Sequence, residues 1–220
     1  MIPPIREQQL QIVLVGNFNP HIFQPQWFVL QKLLGQKEGD SAKIEIIHPD
    51  ITIFNLDWLR LEVTRDRVVA MSRFDQYNEV IKDLIIGTFT ILSHTPLKML
   101  GINYTFISDV RDEAVWHAIG DKLAPKDIWR KFMEKPGLLS LTLDDIWSDK
   151  EDYKNKVRIT VGPGKEKLSF RLHINDHFEL KNVDENSLNS ERIVSILKNE
   201  WSNSQKKTLS IKEKLFAELP

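Results

Sequence analysis

Residues 10–16, LQIVLVG, form a run rich in branched apolar side chains that NFNP breaks at 17–20, the pattern of a buried strand. Pro25 suits the first turn of a helix, because its fixed φ matches and its missing N–H would be unpaired there. A short helix is therefore predicted through WFVLQKLLG, stopped at Gly35. AKIEIIHPDITIF, WLRLEVTRD and RVVAMSR alternate polar and apolar positions and predict three extended segments joined by short polar turns. From Asp75, a suitable N-cap, the spacing turns helical, with Val80, Ile81, Leu84, Ile85 and Phe89 on one face.

After Pro96 the order begins again. KMLGINYTFISD predicts a strand, RDEAVWHAIGDKL and PKDIWRKFME two helices, the second opened by Pro125, and GLLSLTLDD, NKVRITVG and KLSFRLHINDHFEL three further strands. NSLNSERIVSILKNEW is helical, and LSIKEKLFAEL is a further amphipathic stretch beyond the second unit, expected either to pack on its own domain or, as a docking appendage, to insert Leu209, Ile211, Leu215, Phe216 and Leu219 into a partner's groove. The order is thus β-α-β-β-β-α twice, at about 9–95 and 98–220. It predicts an α+β protein, one continuous globular unit with halves at 1–95 and 96–220 and a helical extension at the C-terminus. Its largely antiparallel sheet would be curved, with helices on one side. Identity between the halves is low, so the repeat rests on element order.

That order resembles the duplicated topology of the TATA-binding protein, although no DNA-reading motif of that family is present to carry over. The phrases NFNPHIFQPQWF, LGINYTF and WHAIGDKLAPKDIW are similar to a sporadically distributed bacterial family without an assigned activity. The resemblance brings no catalytic residues. It implies an accessory or regulatory subunit of a bacterial assembly, with defence or toxin-related systems among the candidates.

Composition narrows the chemistry. The 220 residues are 41% hydrophobic, enough for a sizeable core, and Lys plus Arg number 30 against 31 Asp plus Glu. No global positive field draws in phosphate backbones, so a nucleic-acid role needs a local patch. The absence of cysteine excludes disulfides, thiolate zinc sites, iron–sulfur clusters and cysteine nucleophiles. MIPPIREQQL places prolines and charges where a signal peptide needs an apolar run, and nothing later reaches the roughly 20 apolar residues of a membrane span. A cytoplasmic location without a membrane partner is the expectation.

Two dense segments are candidate sites. In 17–28, Phe18, Phe23, Trp27 and Phe28 suit anchors that fix the first helix to the sheet, while Asn17, Asn19, His21 and Gln24 are the residues that would make the loop a binding site. In 116–137, Trp116, His117, Trp129 and Arg130 mix aromatics with charge, suited to a protein partner or a nucleic-acid strand. The plainer alternative is a pair of amphipathic helices with Trp, Ile and Phe packed inward. A pocket uniting 17–28 with His117 would point to a small-molecule sensor or an enzyme.

The strands WLRLEVTRDRVVAMSR and KVRITVGPGKEKLSFRLH are more basic than the chain average. Arg60, Arg65, Arg67, Arg73, Arg158, Lys165, Lys167 and Arg171 would be the nucleic-acid contacts on a concave sheet. HINDH puts His173, Asn175 and His177 on one side of a strand, with the two rings roughly 13 Å apart, too far to share a metal unless the strand turns at Asn175-Asp176. VGPGK lacks the length of a phosphate loop and suits a hairpin turn. Asp144 and Asp145 point to opposite faces of a strand, and no G-x-S-x-G elbow is present. No catalytic residue, metal site or cofactor is expected. The leading expectation is a non-enzymatic module that binds another protein or itself.

Overall fold

A computed structural model describes residues 4–183 and 188–220. Nine strands form one antiparallel sheet in the order β2-β3-β4-β5-β1-β6-β9-β8-β7, and the sheet is curved. The strands are β1 (Ile5–Gly16), β2 (Lys43–His48), β3 (Ile51–Asn55), β4 (Arg60–Thr64), β5 (Arg67–Ser72), β6 (Leu97–Asp109), β7 (Leu141–Asp149), β8 (Tyr153–Pro163) and β9 (Ser169–Leu180). The helices are α1 (Pro25–Leu30), α2 (Gln36–Ser41), α3 (Asn78–Ile91), α4 (Glu113–Leu123) and α5 (Ser190–Glu218). The first strand of each half, β1 or β6, lies at the sheet centre, the last strand of that half, β5 or β9, pairs beside it, and the second, β2 or β7, forms the sheet edge.

Alternation divides the sheet into two faces. Leu10, Ile12 and Leu14 of β1 face the same side as Leu100, Ile102, Tyr104 and Phe106 of β6, because their register partners fall in those rows. This side is covered by the helices. α3 buries Ile81, Leu84, Ile85 and Phe89, while α5 buries Ile193, Val194, Leu197, Trp201 and Phe216. Among the described residues the other face of the sheet carries no helix.

The chain departs from the sequence expectations at five places. Asp75, expected as an N-cap, opens a 3₁₀ turn at Asp75–Tyr77 and accepts from Gln8 Nε2 at 2.8 Å, so that Tyr77 precedes α3. AKIEIIHPDITIF is two strands, because His48–Asp50 makes a tight turn and β2 pairs back on β3, giving the first half one strand more than the second. The helix opened by Pro25 ends at Leu30; Lys32 takes a positive φ of 60°, and Gly35 begins α2 instead of ending α1. Glu38 of α2 accepts from the Gly35 N–H at 2.9 Å and from Trp58 Nε1 at 2.9 Å.

PKDIWRKFME is not a helix beyond one 3₁₀ turn at Trp129–Lys131. Its apolar residues find no sheet face to cover, and a short helix without a buried side is not stable by itself. Finally, the two C-terminal stretches are one 29-residue helix, α5, and its last turns are tied to the core by Phe216, 1% exposed, and Leu219, 6% exposed. The C-terminus is therefore part of the core layer and not a docking appendage. The first positions of NSLNSERIVSILKNEW lie outside the described residues.

Candidate interaction surfaces

The 17–28 segment connects β1 to α1. Phe18, Phe23 and Phe28 are buried, and their rings contact one another and Phe89 with centroids 6.0–6.4 Å apart. Thr52 Oγ1 donates to Pro20 O at 2.8 Å and fixes the turn to β3. Two of the candidate binding residues make local bonds: Asn19 Oδ1 accepts from the His21 N–H at 3.2 Å, and Gln24 Nε2 donates to His21 O at 2.8 Å. Asn17 and His21 are exposed. His117 lies on α4, which leaves β6 at the Asp109 end, whereas 17–28 leaves β1 at the end where Gly16 pairs with Leu97. The two segments sit at opposite ends of the central strands, so no pocket unites 17–28 with residue 117.

The segment after α4 is held at its start and exposed thereafter. Lys126 is buried, and its Nζ donates to the C-terminal carbonyls of α4 at Gly120 (2.9 Å) and Ala124, which suits a cation at a helix C-terminus. Beyond it, Ile128, Trp129, Phe132 and Met133 are exposed instead of packing inward as a pair of amphipathic helices would require. Trp129 and Phe132 meet edge to face at 5.7 Å. Arg130 is 3.4 Å from Asp127 and 3.7 Å from Asp121. Trp116 Nε1 donates to Ser169 O at 3.3 Å, and Trp116, His117, Leu138, Pro163 and Phe170 line a largely apolar cavity of about 260 Å³.

The eight basic candidates separate into paired and unpaired groups. Arg60 pairs with Glu45 and, at 3.7 Å, with Glu62; Arg65 pairs with Asp50; and Arg158 holds Asp144 through two bonds of 3.1 and 2.9 Å. The Arg158 fork keeps the Asp144 carboxyl below its ordinary range. Arg67, Arg73, Lys165, Lys167 and Arg171 make no ion pair or side-chain hydrogen bond among the described residues.

Register builds a feature on the helix-free face that no local motif announces. Gln9, Thr105, His173 and Thr160 stand in one row across β1, β6, β9 and β8, and Thr142 of β7 completes it. Gln11, Asn103, Asn175 and Arg158 form the next row. Thr105 Oγ1 and His173 Nδ1 are 2.9 Å apart, and the Thr142 and Thr160 hydroxyls 3.0 Å apart. Burial, aided by the Arg171 charge, lowers the His173 pKa; burial also lowers that of His177. Both rings are thus biased to the neutral form. Asn103 Oδ1 and Asn175 Oδ1 are buried without a hydrogen-bond partner.

At the Arg171 end of this face is a cavity of about 550 Å³, with Gln9, Gln11, Thr105 and His173 in its lining and Arg73, Lys165 and Arg171 among its wall residues. VGPGK is the hairpin connection from β8 to β9 and contributes Lys165 to that wall. The signal in the sequence was the set of polar residues at alternate positions in QQLQIVLVG, GINYTFIS and RLHINDH, but only strand pairing shows that they align. Among the described residues no group of three or more His, Asp or Glu is placed to hold a metal ion, and no helix is long and apolar enough to cross a membrane.

No family model matches the chain, and no curated protein matches it.

Proposed function

We propose that this protein is a non-enzymatic interaction module, an accessory or regulatory subunit that docks another polypeptide through residues 128–147. The observation that carries this reading is apolar exposure concentrated in one part of the chain. Phe132 is 67% exposed and Leu139 87%, and Ile128, Trp129, Met133, Leu143, Ile146 and Trp147 are exposed as well. Single exposed apolar residues are ordinary, whereas a concentration rich in aromatics is typical of binding surfaces. The outer edge of β7 supports the same reading, since it has no strand beyond it and leaves backbone groups free for pairing. Arg130, Lys131 and Lys135 are interspersed with Asp121, Asp127 and Glu134, so the partner surface is expected to be apolar with mixed charge rather than polyanionic.

The test is native mass spectrometry of the protein purified gently from its own host. The expected species contains either a second polypeptide or an integral multiple of the 25.7 kDa chain. The double variant Trp129→Ala, Phe132→Ser should release the partner while changing stability by no more than about 0.5 kcal/mol per site. A monomer from the native host, or a double variant that keeps its partner, refutes the proposal.

A second reading, nucleic-acid binding across the helix-free face, is supported by the unpaired Arg67, Arg73, Lys165, Lys167 and Arg171. Its test is association that weakens steeply as salt rises. The ion-paired Arg60, Arg65 and Arg158 make it the weaker reading, since the central rows are otherwise uncharged.

A further inference from the structure

We infer that the cavity at the Arg171 end of the helix-free face binds a small phosphorylated organic molecule, of the class of nucleoside phosphates. The cavity, about 550 Å³, falls within the size range of sites for small ligands. Its charges are unequal in availability. Arg6 spans both carboxylates of the wall, lying 3.4 Å from Glu7 and bonded to Glu166, and it also holds Asp109 at 2.9 Å. Among the described residues Arg73, Lys165 and Arg171 are left without a carboxylate. Two guanidinium forks and an ammonium beside one cavity match the several oxygens of a phosphate group.

The remaining lining supplies hydrogen bonds without charge. Gln9, Thr105 and His173 form one row; Gln11 belongs to the next, where its Nε2 has only the Met71 sulfur at 3.5 Å. That second row continues into Asn103 and Asn175, whose buried amide oxygens have no partner. Neither residue is in the cavity lining, and oxygens so buried lie beyond the reach of a ligand in it, so the lining itself carries the inference. A ligand with polar groups next to its phosphate engages Gln9, Gln11, Thr105 and His173 of the lining as well as the cations, whereas inorganic phosphate answers only the cations. This site is separate from the 128–147 surface and stands whether or not that surface docks a protein.

The experiment is isothermal titration of the full chain with nucleoside mono-, di- and triphosphates, inorganic phosphate, and a single-stranded oligonucleotide. At least one nucleotide should bind, and inorganic phosphate should bind about tenfold or more weakly than it. Arg73→Ala and Arg171→Ala, both at exposed positions, should each weaken that nucleotide about tenfold or more, while Arg67→Ala, at the far end of β5, should leave it unchanged. Absence of nucleotide binding at millimolar concentration overturns the inference, as does affinity that the two arginine variants leave intact. Equal affinity for inorganic phosphate removes any role for Gln9, Gln11, Thr105 and His173 and overturns the organic part of the inference. Oligonucleotide binding that saturating mononucleotide fails to displace assigns the cations to a nucleic-acid surface instead.

Discussion

The Asp176 carboxylate lies 2.8 Å from Lys207 Nζ inside the layer between β9 and α5, and the two side chains are only 0% and 9% exposed. Asn155 completes the group, donating to Asp176 at 2.7 Å and accepting from Lys207 at 2.9 Å, and Lys207 also stands over the Trp147 ring at 4.9 Å. A buried pair gives little net stability, but removing one partner strands the other charge. Asp176→Ala and Lys207→Met should therefore each destabilise the chain by about 3–5 kcal/mol, and the double variant by much less than their sum. Urea unfolding of the four species closes this cycle. Simple additivity would show that the pair does not couple α5 to the sheet.

Glu200 of α5 provides a second tie. Its carboxylate accepts from Lys150 at 2.6 Å, Tyr153 at 2.7 Å and Asn203 at 3.2 Å. Burial pushes this carboxyl up, but the three bonds outweigh burial and hold it at about 2. The folded value lies below the unfolded one, near 4.3, so the folded chain keeps the charge when the unfolded chain has taken up a proton. The contribution is complete above the unfolded value and is lost as pH falls from about 5 toward 2. Thermal melts across that range should show wild type losing more stability than Glu200→Gln. Parallel curves would exclude the linkage.

Much of the fold was legible because its strands and helices carry their own period. The limits of α5 were not, since Leu197, Trp201, Ser204, Thr208, Ile211 and Leu215 form one stripe at spacings of four and three, but Ser204 and Thr208 interrupt its apolar character. Small polar residues can keep a helix close to a sheet without marking that face in a hydrophobicity pattern. The opposite failure occurs at 128–133, where apolar spacing suggests a packed helix and the side chains face solvent. Periodicity reports which residues share a face, not whether a core lies opposite. The amide rows were hidden for another reason: Gln11, Asn103 and Asn175 are up to 164 positions apart and meet only through strand register.

Gly16 ends β1 where its register with β6 shifts, and a Cβ there would lie 2.3 Å from Pro96 O. The requirement is space, since the obstacle is a backbone oxygen that cannot rotate away. Gly16→Ala should cost about 1–3 kcal/mol through forced displacement of the Pro96 backbone. It should lower the urea midpoint with an unchanged slope. Gly137→Ala is the matching control, because a Cβ at Gly137 meets nothing within 4 Å. A Gly16→Ala midpoint equal to that of the control would show that the β1–β6 junction has room to relax.

Asn103 offers a test in the opposite direction. Its Oδ1 is buried without a partner, opposite Asn175 in the β6–β9 register and beside the row that lines the cavity. An unmade bond of this kind costs about 1–3 kcal/mol, and a branched apolar side chain fits a pleated, half-buried strand position. Asn103→Val should thus raise stability, by about 1 kcal/mol once the lost amide contacts are deducted. Asn103 is not in the cavity lining, so the same variant should keep its nucleotide affinity. A fall in the melting temperature would mean that the oxygen is already satisfied in the folded chain. Higher stability with lost nucleotide affinity would extend the binding site to Asn103.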